Sequence, residues 1–140
     1  MGDTNRQVIE RLYEDVWNGK NPNTAEELVH DAYVIHDREL AEELQGPDLY
    51  NALASSTREL FSNLSFTIED VVAADDEVAL RWTMVGTHEG RLFGVEPTGE
   101  RVELAAIEIN RFEDGQLIET WTQSDQLGLM GQVGALSEIN

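Results

Sequence analysis

Residues 105–121 read AAIEINRFEDGQLIETW. Apolar and polar side chains alternate on both sides of Asp114–Gly115, a dipeptide suited to the positive backbone angles of a tight hairpin, so the stretch predicts two antiparallel strands. Extending the alternation back to Glu103 sets Leu104, Ala106, Glu108, Asn110 and Phe112 on one face, with Glu103, Ala105, Ile107, Ile109 and Arg111 on the other. Glu108 therefore shares a face with apolar neighbours. Covered from water, its carboxyl would have a raised pKa and suit general acid–base work; left open, it is one acid among 28.

Upstream the same period of two continues. SFTIEDVVAA and EVALRWTMVGTHEG, hinged at Asp75–Asp76, predict a second hairpin, and the connector RLFGVEPTG carries Leu92, Phe93 and Val95 and is expected to pack onto the body. Before Ser65 the spacing is helical. TNRQ at 4–7 has capping-box spacing, and Val8, Ile9, Leu12, Tyr13, Val16 and Trp17 follow as one apolar stripe until Asn18–Gly19. Asn23 or Thr24 caps a short helix running to about Val29, and Tyr33–Ile35 is extended and leads into His36. The acidic run DRELAEELQG reads as a short exposed helix or a lid. DLYNALASSTRELFSNL, with Leu49, Leu53, Leu60 and Leu64 near one face, predicts a third helix through Leu64. The glycine-punctuated tail LGLMGQVGALSEIN gives no assignment. Helices followed by strands predict a single α+β domain over 1–140: a cone-like curved antiparallel sheet, with about three N-terminal helices closing a pocket.

The charge balance narrows the function classes. Against 28 Asp and Glu stand nine Lys and Arg, and Lys20 is the single lysine, for a net charge of −19. Nucleic acid is not an expected partner, because neutralising phosphates takes basic patches. Self-repulsion on this scale is tolerated where salt screens it, the Debye length being about 3 Å at 1 M, so a halophilic cytoplasm is the expected setting. The chain has no cysteine, and its three histidines lack metal-ligand spacing. No phosphate-cradling glycine loop is present, and neither a metal nor a cofactor is expected. The sequence has no apolar run of membrane-spanning length and its start lacks a secretory pattern, so no membrane association is expected.

Candidate site residues follow from the predicted faces. His88 alternates with Trp82, Met84 and Gly86 and either polarises a substrate carbonyl or is a satisfied core histidine. His36 either lines the same cavity or caps a strand end, and His30 reads as a helix C-terminal charge partner. Trp17, Tyr33, Trp82, Phe112 and Trp121 are candidates to wall a pocket for a small, flat hydrophobic molecule, with ordinary core packing as the alternative for each. Trp121 and Asp125 are expected to share a strand face with Leu117 and Glu119, Asp125 serving as a helix cap or turn residue.

RWTMVGTHEG, the PTG loop, the hairpin I-x-R-F-E-D-G, E-x-W and a closing DQLGLM occur in the order seen in the SnoaL-like polyketide cyclases, which this chain resembles over residues 70–134. The resemblance implies a nuclear-transport-factor-2-like cone and cofactor-free closure of a ring by intramolecular aldol condensation. It also implies a pocket acid, an aspartate just ahead of I-x-R in family members, at the position of Glu108. Glu108 is one methylene longer, Thr120 stands where many members have histidine, and Glu96 precedes Pro97 where a second proline is common. The function so implied is a cofactor-independent cyclase or isomerase acting on a small hydrophobic carbonyl compound. Glu108 would be its base, with His88 or His36 on the developing enolate oxygen. The alternative is a non-catalytic ligand-binding or dimerisation domain in which Glu108 is salt-bridged, to Arg81 or Arg101. Either way a homodimer is expected, through a second apolar sheet face bearing Val85, Ile107 and Ile109.

Overall fold

A computed structural model describes residues 2–36 and 43–138. The apolar stripe near the N-terminus forms α1 (Gly2–Leu12), which widens without a break into a π-helical turn, Tyr13–Trp17. Asn18 closes that turn by donating its N–H to the Tyr13 carbonyl at 2.8 Å, and Gly19 then leaves the helix at φ +80°. The Asn18 side chain also bonds both the N–H (2.7 Å) and the carbonyl (3.1 Å) of Phe66, standing in for a strand neighbour. Arg58 donates to the carbonyl of Val16, which ties the third helix to the same turn.

After α2 (Thr24–Leu28) come β1 (Val29–Ile35), α3 (Gly46–Leu60), β2 (Phe61–Ala74), β3 (Glu77–His88), β4 (Arg101–Glu113) and β5 (Gln116–Ser124). The tail left unassigned forms α4 (Gln126–Gln132) and a 3-10 turn at Ala135–Glu138. Residues 37–42, most of the acidic run read as a helix or a lid, lie outside the described residues.

The strands form one sheet in the order β1-β5-β4-β3-β2. Three neighbouring pairs are antiparallel, while β1 runs parallel to β5, so the sheet is mixed rather than wholly antiparallel. No hairpin joins β1 to β5, and nothing in their connection imposes the antiparallel sense. Both predicted hinges are two-residue turns, with Asp75 at φ +52° in one and Asp114 and Gly115 at +52° and +80° in the other.

The predicted third helix stops at Leu60, four residues early. Phe61 and Ser62 already pair with His88 and Thr87 of β3, and this ladder overrides the helical spacing that Leu64 continues by coincidence. Asn63 at φ +53° marks a bulge there, and further bulges interrupt β2 near Ile68 and the β4–β5 pair after Arg111. Such bulges bend strands and increase local twist, and the sheet curls around α1, which packs on β2, β3 and β5, and α3, which packs on β1 and β2. In β4 the predicted alternation holds: Val102, Leu104, Ala106, Glu108, Asn110 and Phe112 are buried and Glu103, Ala105, Ile107 and Ile109 are exposed. The connector packs through Leu92 and Val95 against the core, while Phe93, expected to pack with them, sits at φ +52° and is exposed.

Candidate active site

The concave side of the sheet encloses a cavity of about 470 Å³. Aromatic side chains, Tyr13, Trp17, Tyr33, Tyr50, Phe66 and Trp82 among them, share its walls with aliphatic ones. The π-helical turn sets Tyr13 and Trp17 side by side, their rings stacked at 6.1 Å, where Phe66 of β2 meets both. Glu108 reaches the same cavity from the middle of β4.

Every hydrogen bond to the Glu108 carboxyl comes from a donor. The Tyr13 hydroxyl and the Trp82 indole N–H donate to Oε1, each at 2.8 Å, and Thr122 lies at the 3.5 Å margin of the same oxygen. Asn110 donates to Oε2 at 2.9 Å. The β-ladder explains the set, because Thr122 is the direct partner of Glu108 on β5, Trp82 lies diagonally across on β3, and Asn110 is the next residue on the same face. Oε1 has both lone pairs engaged and Oε2 keeps one open.

Asn110 is held in turn. Thr120 donates to Asn110 Oδ1 at 2.7 Å, and Tyr33 donates to Thr120 Oγ1 at 3.0 Å. This fixes the Asn110 amide with its NH2 group toward Glu108, and the chain Tyr33, Thr120, Asn110, Glu108 points every donor toward the carboxylate. Burial pushes the Glu108 carboxyl above the ordinary glutamate range, while the bonds from Asn110, Tyr13, Trp82 and Thr122 pull in the opposite direction without cancelling it. Burial likewise holds the Tyr13 and Tyr50 hydroxyls well above the ordinary tyrosine value. Among the described residues Glu108 has no ion-pair partner: Arg81 pairs with Asp70, and Arg101 is in no salt bridge.

Of the residues singled out from sequence, Glu108, Trp17, Tyr33 and Trp82 meet at the cavity and four others do not line it. Trp121 and His36 are on the opposite side of the sheet. Arg111 pairs with Glu119 but Phe112 pairs with Leu117, so Ile118 is an extra residue in β5 and the alternation changes phase across it. Leu117 and Ile118 are both buried, after which Thr120, Thr122 and Ser124 face the cavity and Glu119 and Trp121 face away. On that outer face His36 Nε2 bonds Glu119 Oε2 at 2.6 Å, Arg111 bonds Glu119 Oε1 at 2.8 Å, and the His36 ring stacks on Trp121 at 4.9 Å. Glu119 is partly desolvated, yet the bonds from His36 and Arg111 hold it below the ordinary glutamate range.

Phe112 is core, next to the hairpin end of β4. His88 is fully buried beyond the cavity lining. Its Nδ1 accepts the Thr98 backbone N–H at 3.2 Å, which places the ring proton on Nε2, and Nε2 has no partner among the described residues. His88 thus fastens the PTG loop to the end of β3. His30 lies in β1 rather than at a helix end and accepts the Ala32 N–H at 2.9 Å, while Asp125 caps α4 through the Gly128 N–H at 2.8 Å.

Sequence reasoning passed over Tyr13, Tyr50, Asn110, Thr120 and Thr122. A signal existed for Asn110, which shares the predicted buried face of β4 with Glu108. Two polar residues in succession on a covered face call for each other. Among the described residues no cluster of three or more His, Asp or Glu is disposed to hold a metal ion, and no helix is long and apolar enough to cross a membrane.

A curled, unclosed sheet with helices across its mouth and a buried carboxyl in an aromatic cavity defines a cone-fold pocket protein of the nuclear-transport-factor-2-like type. Residues 7–133 match the model of the SnoaL-like polyketide cyclases, and the chain belongs to that family. It is 26% identical over 129 residues to aklanonic acid methyl ester cyclase DauD of Streptomyces sp. (strain C5), covering 91% of this chain and 80% of that protein. Among solved structures it is similar to TsrD of Streptomyces laurentii, with a TM-score of 0.84, 26% identity and 95% and 96% of the two chains covered. IdmH of Streptomyces antibioticus, a polyketide cyclase candidate, aligns with a TM-score of 0.77, 30% identity and 93% and 98% coverage.

Proposed function

We propose that the chain is a cyclase- or isomerase-like enzyme that works without a cofactor on a small hydrophobic carbonyl compound, with Glu108 as its general base. One observation carries this reading: a carboxyl buried in a cavity with aromatic walls, bonded by hydrogen-bond donors and, among the described residues, paired with no cation. The donors keep the carboxylate accessible, and burial makes it basic enough to take a proton from carbon next to a carbonyl. The C–H bond breaks, the proton goes to Glu108, and the electron pair moves to the carbonyl oxygen as an enolate. In an aldol closure the enolate carbon then attacks a second carbonyl of the same molecule, and the proton on Glu108 can be returned to the new alkoxide.

The binding-domain alternative predicts an arginine partner for Glu108, and none pairs with it among the described residues. Two measurements test the enzymatic reading. The first is the Glu108 carboxyl pKa, followed by NMR in molar KCl with Glu108→Gln to assign the signal. It is expected above the ordinary glutamate range, and a value at or below that range removes the reading. The second uses 2-tetralone, a bicyclic ketone with acidic C–H groups, in deuterated buffer. The protein should accelerate deuterium uptake beside the carbonyl, and Glu108→Gln should return it to the buffer rate.

We also propose self-association through the outer sheet face. Ile109 and Trp121 are register partners there, and with Ile107 they expose a contiguous apolar patch, 43%, 39% and 60% accessible respectively.

A further inference from the structure

Removing a proton beside a carbonyl needs a partner for the oxygen that gains charge, and neither histidine suggested by the sequence lines the cavity. Apart from Ser56 and Gln126, which are exposed, and Ser124, which is partly exposed, the donors already in the cavity wall are nearly all committed. Tyr13 and Trp82 donate to Glu108, Tyr33 to Thr120, Thr120 to Asn110, and Thr57 to the Leu53 carbonyl.

Tyr50 differs. Its hydroxyl oxygen accepts the Trp17 indole N–H at 2.7 Å, and its own proton has no acceptor among the described residues. The residue is 3% exposed, so water does not take up that proton freely. A buried hydroxyl with an uncommitted proton is costly unless a ligand atom completes it. The ring is also confined, edge-on to Trp17 at 5.7 Å and to Tyr33 at 5.5 Å. A confined ring gives a donor that need not reorganise as charge develops. The indole N–H, which can only donate, polarises the Tyr50 O–H and strengthens it as a donor.

We propose that the Tyr50 hydroxyl, backed by the Trp17 indole N–H, holds the carbonyl oxygen of the substrate while Glu108 removes the neighbouring proton. This rests on the reading of Glu108 as the base. Tyr50 donates a hydrogen bond and keeps its proton: burial first, then the nearby Tyr33 and the Glu108 charge, hold its hydroxyl far from ionisation. Trp17 is a positioning residue, acting through Tyr50. The substrate class follows as a flat, largely apolar ketone or ester with an acidic C–H beside the carbonyl, small enough for a cavity of about 470 Å³.

The test uses 4-nitrophenolate as a mimic of the enolate and 4-nitroanisole as its uncharged counterpart, titrated in molar KCl. Glu108→Gln removes the competing charge and should bind the phenolate more tightly than the unaltered protein does. Adding Tyr50→Phe to that variant should weaken phenolate binding about tenfold or more, as expected for loss of a hydrogen bond to a charged group, with nitroanisole binding unchanged. Trp17→Phe in the same background, with Tyr50 intact, should give a smaller loss confined to the phenolate.

If Glu108→Gln tightens phenolate binding but Tyr50→Phe then changes nothing, the Tyr50 proposal fails and the base survives. Equal phenolate affinity with and without the Glu108 carboxylate overturns the base itself. Binding of nitroanisole without any binding of phenolate to Glu108→Gln also overturns the assignment of Tyr50. Should Tyr50→Phe fail to fold, the Trp17→Phe arm decides alone: an equal loss for both probes counts against the proposal.

Discussion

The protonation of Glu108 is coupled to the stability of the fold. Its folded pKa is raised, so between the ordinary glutamate value and the folded value the native state binds more protons than the unfolded chain. The stability this contributes is fully present below the ordinary value and is lost as pH rises through the folded pKa. Urea titrations of wild type and Glu108→Gln across that window should therefore show the difference shifting steadily in the variant's favour as pH rises. A constant difference would mean that the carboxyl is not desolvated as described. Glu119 on the opposite face has the other sign: bonded by His36 and Arg111, it contributes stability that is lost as pH falls. The buried acid was legible in the sequence because β4 keeps strict alternation as far as Arg111. Its donor Tyr13 was harder to see, since a tyrosine at helical spacing reads equally well as ordinary core.

At the scale of elements, two irregularities build the site, and neither has a signature in residue spacing. The π-helical turn presents Tyr13 and Trp17 together, and the bulge at Ile118 brings Thr120 opposite Asn110. The sequence-based placement of Trp121 assumed unbroken alternation and failed at that bulge, while β3 and β4, which pair without interruption, followed their pattern. The end of α3 was misjudged for a related reason: helical spacing is local, whereas the ladder from Phe61 to β3 is formed by tertiary pairing. Two outcomes belong here. Thr120→Val should raise the Glu108 pKa further, because Asn110 loses the bond that fixes its amide, and the NMR titration reads this directly. Gly90→Ala should cost about 1–3 kcal/mol in urea unfolding, since a Cβ there would lie 2.5 Å from the Glu59 carbonyl oxygen and 2.9 Å from Leu60 Cα. That close approach seats the loop after β3 on the junction of α3 and β2, next to the cavity wall formed by Leu60 and Leu92.

The whole molecule has to fold against a net charge of −19. Its melting temperature should climb from dilute buffer to molar KCl as screening shortens the range of self-repulsion, and a flat response would show that the acids are placed without mutual strain. Dimerisation faces the same repulsion, so sedimentation should find a dimer at micromolar concentration in molar KCl and a monomer for Ile107→Lys with Ile109→Lys. A wild-type monomer under those conditions removes the outer face as an interface. Both faces of β5 run past the bulge at Ile118. In genetic terms, substitutions can retune either face, but loss of the single codon for Ile118 would do something different in kind. It would leave Leu117 opposite Phe112 and Glu119 opposite Arg111, so both faces would keep their side chains while the strand lost its bulge and the bend that goes with it. A one-codon deletion at the bulge would therefore alter the curvature of this strand, whereas substitutions decide which side chains it offers for chemistry.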